Sequence, residues 1–172
     1  MSEFDRQYQK VLKDILKNGV EELNKRTGHK TKIIPGVYFQ IDSGFPLLTL
    51  RKIPLRIFTA EMIWYLMGSR LPSEFLQKFT KIWDDFTNIN GVVSASYGYR
   101  WRRHFGRDQI LESLKLLKKD PSNRQAVVVT WDPADDGLTN TLTHRKKMNV
   151  PCPYTFVLNV TGEKLNLFSV AR

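Results

Sequence analysis

The strongest constraint on the fold is the order of two kinds of apolar pattern along the chain. Helical periods occur mainly in the first two thirds, whereas β-branched and apolar runs dominate the last third. The last two runs are joined by Thr161-Gly-Glu, which is typical of a β-hairpin. Helices packed around late strands predict the α+β class.

The individual elements follow from these periods and from the turn residues between them. Helices are predicted over residues 8–23, 55–68, 72–79 and 108–119. Strands are predicted over residues 37–41, 126–131, 154–160 and 165–170, with a long polar connection over residues 132–149. Since no repeat or Pro/Gly-rich linker interrupts the pattern, we predict one domain over residues 1–172.

The single cysteine in 172 residues cannot form an internal disulfide, so we expect a reducing compartment. No apolar run approaches the roughly 20 residues that a membrane-spanning helix needs. The amino-terminal sequence lacks the apolar stretch of a signal peptide. We therefore expect a cytoplasmic protein that does not enter a membrane.

The formal charge of +10 predicts anionic partners. Nucleic acid, phosphorylated small molecules and polyanionic cofactors all fit that charge, and composition alone does not separate them. The basic residues lie in small clusters over several segments, and no single helix or tail concentrates them.

Cys152 is the first candidate for chemistry. Its flanking prolines fix the backbone at the entrance of a predicted strand. Basic residues precede it, and a hairpin could bring Arg172 alongside, which would favour the reactive thiolate. The alternative is a buried structural cysteine, which is common in proteins.

Glu61 is the second candidate, because it shares a predicted helix face with apolar and aromatic residues. A carboxylate on such a face is unusual. It could organise protons or water in a pocket, or it could pair with an arginine or turn to the surface.

Residues 94–103 interleave aromatic residues with arginines. This pattern fits stacking on nucleic-acid bases, a small-molecule pocket wall, or a surface strand or loop with extended arginines. The three histidines lack metal-ligand spacing, so no metal site is predicted, and the sequence has no phosphate-binding glycine loop.

Short motifs over nearly the whole chain resemble those of the thymidylate synthase and deoxypyrimidine monophosphate hydroxymethylase family. Each motif is weak alone, and their shared order along the chain carries the resemblance. They are Arg26-Thr-Gly28, Gly44-Phe-Pro-Leu-Leu-Thr49, Glu61-Met-Ile-Trp64 with Gly68, Ile82-Trp-Asp84, Tyr97-Gly98, Trp101-Arg102, Asp120-Pro-Ser-Asn-Arg124, Trp131, Pro151-Cys152 and Arg172. The resemblance implies that family's mixed sheet with packed helices.

The resemblance also implies the reaction, which is one-carbon transfer from 5,10-methylenetetrahydrofolate to C5 of a pyrimidine nucleotide. Cys152 matches the nucleophile that adds to C6 of the ring. Glu61 matches the carboxylate that manages protons and water beside the pyrimidine. Tyr97 matches the tyrosine that assists proton removal at C5. The expected substrate is dUMP, and dCMP stays open as the alternative.

Binding roles are implied in the same way. Arg26 and Arg172 match arginines that hold the substrate phosphate. Arg124 matches a phosphate arginine that the family donates across a dimer interface, so a homodimer is implied. Trp83 matches an aromatic residue beside the folate. Asn149 falls at the cofactor side, where the family usually has leucine.

Four residues depart from the family pattern: Asn149, Pro153 in place of histidine, Gln125 in place of arginine, and Ala171 in place of glutamine. Asn149 bears on the product, because a polar side chain there would favour an ordered water. Water at the C5 methylene gives a hydroxymethyl product, whereas hydride gives a methyl product. The departure favours a dUMP hydroxymethylase over a divergent thymidylate synthase.

The family pattern continues beyond Arg172, so we expect this chain to be part of a longer or split enzyme. On that expectation it is inactive without the remaining part, and a complementary C-terminal fragment is a conceivable partner besides a second copy. The alternatives are an inactive remnant and a nucleic-acid-binding module based on residues 97–103. No specific nucleic acid is expected for the enzyme.

Overall fold

The computed structural model describes residues 1–25, 27–136 and 150–172. Backbone contacts divide the chain into two compact units, Met1–Pro54 and Leu55–Arg172. The prediction that they form one domain stays a prediction. The described residues form helices and two small antiparallel sheets, so the predicted α+β class is confirmed.

The first unit begins with helix α1, Glu3–Asn18. Ser2 and Asp5 form a reciprocal capping box at its start. The helix ends before Gly19, where a Cβ would overlap the carbonyl oxygen of Ile15. The predicted helix over residues 8–23 was therefore wrong at both ends, because the capping box lies before the apolar period and Gly19 ends the helix within it.

A hairpin follows directly, formed by strands β1 (Val20–Asn24) and β2 (His29–Ile33). The sequence analysis missed it, because both strands are mostly exposed and carry no alternating apolar pattern. The strand predicted over residues 37–41 was also wrong. The backbone N–H and C=O of Gln40 bond to the side-chain amide of Gln7, so side-chain partners replace a neighbouring strand.

The second unit begins with helix α2, Leu55–Met67, as predicted. Gly68 closes it with a φ of 65° and donates its N–H to the Tyr65 carbonyl. The helix predicted over residues 72–79 is instead two 3₁₀ turns, Pro72–Glu74 and Leu76–Lys78. Phe75 lies between them with a φ of −150°, which interrupts the helical backbone.

Two further helical segments precede the second sheet. The short helix α3, Tyr97–Tyr99, continues into a π-helical turn, Arg100–His104. Of the residues 94–103, for which a surface strand or loop was one alternative, residues 97–103 are therefore helical. Helix α4, Gln109–Lys119, forms as predicted, with Asp108 accepting the Leu111 N–H as its N-cap.

The second sheet has the order β3-β4-β5 and is antiparallel throughout. Its strands are β3 (Val127–Val129), β4 (Pro153–Thr161) and β5 (Lys164–Ala171), so the predicted late strands and hairpin are confirmed. Every residue of β5 is exposed. A register shift between Pro153 and Thr155 places an irregularity at the start of β4.

The main core of the second unit packs aromatic residues of α2 against the segments that follow it. Its fully buried members are Trp64, Leu76 and Val93, with Tyr65 and Trp83 nearly so. A smaller cluster joins α4 to the sheet through Leu117, Ala126 and Leu158. None of the described helices is long and apolar enough to cross a bilayer.

Candidate active site

Cys152 lies at the entrance of β4 with an exposed side chain. Pro151 before it is buried, and the register irregularity follows it. The hairpin brings Arg172 alongside, as the sequence analysis expected. The Arg172 N–H donates to the Cys152 carbonyl at 3.0 Å, and its Nη2 donates to the Val150 carbonyl at 3.2 Å. The backbone of Cys152 is thereby fixed on both sides while its thiol faces solvent.

Tyr97 lies next to Cys152. Its hydroxyl interacts with the Cys152 side chain and with the Cys152 backbone N–H. Burial and the hydrogen bond to Cys152 together raise the pKa of Tyr97 to about 12. The hydroxyl therefore stays protonated at neutral pH and can act as a hydrogen-bond donor.

A glycine explains why Tyr97 lies so close to helix α2. A Cβ at Gly98 would overlap the carbonyl oxygen of Tyr65, so only glycine permits this approach of the two backbones. The rings of Tyr97 and Tyr65 are 5.2 Å apart as a result. The same contact brings the α2 side chains to the edge of the Cys152 site.

Glu61 is the α2 carboxylate in this cluster. Trp83 donates its Nε1–H to Glu61 Oε1 at 2.5 Å, and Tyr65 forms a second hydrogen bond to the same carboxyl group. Burial, followed by the charge of Glu61 and the bond to it, raises the pKa of Tyr65 well above its usual range. Two protonated donors therefore hold Glu61 in a defined orientation.

The three predicted phosphate arginines differ in what the structure says of them. Arg26 lies outside the described residues. Arg124 is exposed in the turn after α4, and within the described ranges no hydrogen bond or ion pair joins it to Cys152 or Arg172. Of the three arginines, the structure brings only Arg172 to Cys152.

The two residues predicted on the folate side are Trp83 and Asn149. Asn149 lies outside the described residues. Trp83 is 7% exposed, with its ring packed between Trp64 and Tyr97. Its indole face is thus largely covered by protein, and its place beside a folate stays a prediction. In residues 1–25, 27–136 and 150–172, no group of three potential ligands is arranged for a metal ion.

The sequence analysis missed Tyr65 as a site residue and Arg100 as a buried one. Tyr65 follows Glu61 by one helical turn, so its spacing was available as a signal. The pattern of residues 94–103 left base stacking, a pocket wall and extended surface arginines open for Arg100, yet its side chain is fully buried. The signal for it was the group of carboxylates that follows β3, at Asp132, Asp135 and Asp136.

One comparison with known proteins bears on this cluster. A family model described as thymidylate synthase matches residues 6–172, which is nearly the whole chain. The family consists of one-carbon transferases that bind a nucleotide substrate, use methylenetetrahydrofolate as co-substrate and are typically dimeric. The match includes the Cys152 cluster, which is Cys152 with Tyr97, Glu61, Tyr65 and Trp83. The chain belongs to the thymidylate synthase family.

Proposed function

We propose that this chain contributes the nucleophile and proton-handling groups of a one-carbon transferase that acts on dUMP. The observation that carries the proposal is the convergence of Cys152, Tyr97 and Glu61. They come from β4, α3 and α2, and contacts through Tyr65 and Trp83 join them into one cluster. Family membership alone would not require these side chains to meet in this chain.

The first step is addition of the Cys152 sulfur to C6 of the pyrimidine. The S–C6 bond forms as the C5–C6 π bond breaks, and the electron pair is shared between C5 and the O4 carbonyl. C5 thereby becomes nucleophilic. The exposed thiol and its fixed backbone suit attack on a ring brought from solvent.

Tyr97 and Glu61 have separate tasks in this proposal. Tyr97 holds a proton next to the sulfur, where it stabilises the thiolate before addition and after its release. Glu61, oriented by two donors, is the acceptor that receives protons or positions water near C5. The tyrosine also lies where it can assist removal of the C5 proton.

Methylenetetrahydrofolate supplies the one-carbon unit in this family. Among the described residues, Trp83 is the one predicted to lie beside the folate. It is 7% exposed, so its indole ring has no free face for stacking on the cofactor. Trp83 instead serves as a donor to Glu61.

For the product, we propose hydroxymethylation over methylation. Water adds to the exocyclic methylene carbon on C5, so the C–O bond forms as the π bond between C5 and that carbon breaks. The electron pair at C5 then forms the C5–C6 double bond as the C6–S bond breaks and the Cys152 thiolate leaves. The water's proton passes to a base, and no reductant is needed. Asn149 stands where the family usually has leucine, and the Tyr65 hydroxyl beside Glu61 adds a second polar group that could hold such a water.

For assembly, we propose a homodimer in which Arg124 contacts the partner's nucleotide phosphate. Arg124 is exposed and is free of any bond to the Cys152 cluster within the described ranges. An arginine fork suits bidentate binding of phosphate. In the alternative, the protein is a nucleic-acid-binding module. Its binding to nucleic acid would then be sequence-independent and strongly salt-dependent.

Covalent trapping tests the nucleophile. The protein is incubated with 5-fluoro-dUMP and methylenetetrahydrofolate, and the adduct is located by peptide mass spectrometry. Since Cys152 is the single cysteine, the adduct can be assigned without ambiguity. We expect an adduct at Cys152 and none in Cys152→Ala, whereas an adduct that survives Cys152→Ala would overturn the assignment.

Product analysis tests which group is added at C5 and which pyrimidine nucleotide is the substrate. Turnover with dUMP and, separately, with dCMP is followed by mass spectrometry of the nucleotide. We expect the 5-hydroxymethyl product from dUMP, and Asn149→Leu should raise the share of methyl product. Methyl product alone from the unsubstituted protein would contradict the hydroxymethylase proposal.

A further inference from the structure

Among the described residues of the second unit, Arg100 is the most completely enclosed charge, since its side chain has no exposed surface. Its guanidinium forms ion pairs with Asp132 at 3.1 Å, Asp135 at 2.8 Å and Asp136 at 3.1 Å. His104, one turn further on, also contacts both Arg100 and Asp132. Arg100 with Asp132, Asp135 and Asp136 is called the arginine–aspartate cluster below.

The arginine–aspartate cluster joins two segments that are distant in sequence. Arg100 begins the π-helical turn that continues directly from Tyr97–Tyr99, so it lies one turn after Tyr97. The aspartates form the turn after β3. Hydrogen bonds within that turn, from the Asp132 N–H to Asp136 and from the Ala134 N–H to Asp132, shape it around the guanidinium.

Two neutral contacts support the same junction. Trp101 donates its Nε1–H to the Thr130 hydroxyl at 2.8 Å. The Gln109 side chain bonds to the Arg100 carbonyl and to both backbone groups of Val129, each at 2.9 Å. The helical segment after Tyr97 is therefore tied to the end of β3 by ionic and by neutral bonds.

The end of β3 is in turn tied to the strand that follows Cys152. The N–H groups of Thr130 and Trp131 both donate to the Tyr154 carbonyl, at 2.8 and 3.2 Å. Tyr154 lies two residues after Cys152. A continuous set of bonds thus runs from Arg100 through the end of β3 to the backbone beside the sulfur, while Tyr97 reaches the sulfur directly.

We propose that Arg100 is a positioning residue, which sets the hydrogen bond between the Tyr97 hydroxyl and the Cys152 sulfur by holding the turn after β3 against the Tyr97 segment. The inference rests on the proposed function, in which this hydrogen bond controls the nucleophile. Physical reasoning favours such a role, because buried ion pairs add little net stability over apolar packing but strongly penalise displaced arrangements.

The test measures the rate at which iodoacetamide alkylates Cys152 at pH 7, followed by intact mass. Loss of a hydrogen bond to the sulfur should slow the reaction about two- to fivefold, since thiolate is the reacting form. We expect this effect in Tyr97→Phe and a similar one in Arg100→Lys. In the double variant, the second substitution should add nothing, because both remove the same bond.

Two further variants keep the test decisive. Asp135→Asn removes one ion pair from a side chain that is 51% exposed, so it is expected to fold and to slow alkylation partially, again only when Tyr97 is present. Arg102→Met is the matched control. Arg102 lies in the same helical segment as Arg100, but its ion pair is with Asp108, outside the turn that holds the three aspartates. The substitution should therefore leave the alkylation rate unchanged.

Three results would overturn the inference: unchanged alkylation in Arg100→Lys and Asp135→Asn, effects that add to that of Tyr97→Phe, or an equal effect in Arg102→Met. Should Arg100→Lys fail to fold, Asp135→Asn alone decides. Failure of the proposed function is separate, since it would appear as absence of trapping by 5-fluoro-dUMP while the alkylation pattern holds.

Discussion

The two compact units differ in what holds them together. Within the described part of Met1–Pro54, the buried residues are Asp5 and Leu48, and large apolar side chains such as Leu16 and Phe45 are more than 60% exposed. The unit Leu55–Arg172 instead buries an aromatic core around Trp64 and Trp83. The first unit relies on polar side-chain bonds, whereas the second combines apolar burial with buried charge.

This difference has a consequence for the site. A catalytic group must keep its position within fractions of an ångström, which needs neighbours that are themselves locked by packing. Cys152, Tyr97 and Glu61 all lie in the second unit, against the aromatic core. The residues proposed for catalysis therefore lie in the unit that has the packed core.

The largest difference in unfolding free energy is expected between loss of the buried Arg100 ion pairs and loss of an exposed ion pair. Arg100→Met leaves three carboxylates without their buried partner, so we expect a loss of about 3–5 kcal/mol in unfolding free energy. Lys30→Ala breaks the exposed pair with Glu21 in the first unit and should cost less than about 1 kcal/mol. Urea denaturation measures both, and equal losses would contradict the comparison.

A matched pair of leucines tests apolar burial. Leu76→Ala removes a fully buried side chain from the second unit and should cost about 2–5 kcal/mol. Leu16 in the first unit is 69% exposed, so Leu16→Ala should stay within about 0.5 kcal/mol. The same urea titration serves, and a large loss in Leu16→Ala would show that this leucine is covered in solution.

High pH should weaken the second unit through its buried tyrosines. Because the pKa of Tyr97 is raised to about 12 in the folded chain, its stabilising effect is complete below about pH 10 and is lost as the pH rises towards 12. Phenolate absorbance should therefore appear late for Tyr97 and Tyr65. Tyr97→Phe should flatten the decline in stability, and an unchanged slope would contradict it.

Low pH should also act on the first unit, through Asp5. Asp5 accepts bonds from the Thr49 N–H and hydroxyl, and chiefly the latter holds the pKa of Asp5 below its usual range. The stabilisation is present above about pH 4 and is lost as the pH falls. The protection factor of the Thr49 amide against hydrogen exchange should fall with acid in the wild type. Asp5→Asn should remove that dependence, while Asp14→Asn should not.

Local patterns predicted much of the second unit. Helix α2, helix α4 and the β4–β5 hairpin follow from apolar period and turn residues. The first unit was harder, because the exposed strands β1 and β2 have no buried face to impose a pattern. The sequence gives no local sign that a side chain such as Gln7 replaces a strand partner.

The sequence by itself determined the family and the setting of Cys152, because a proline-flanked strand entrance and a hairpin that returns Arg172 are short-range features. Only the tertiary structure decided that Trp83 donates to Glu61, and that Arg100 is buried against aspartates more than 30 residues away. Such meetings depend on close packing between distant segments, as at Gly98, and no local period encodes them.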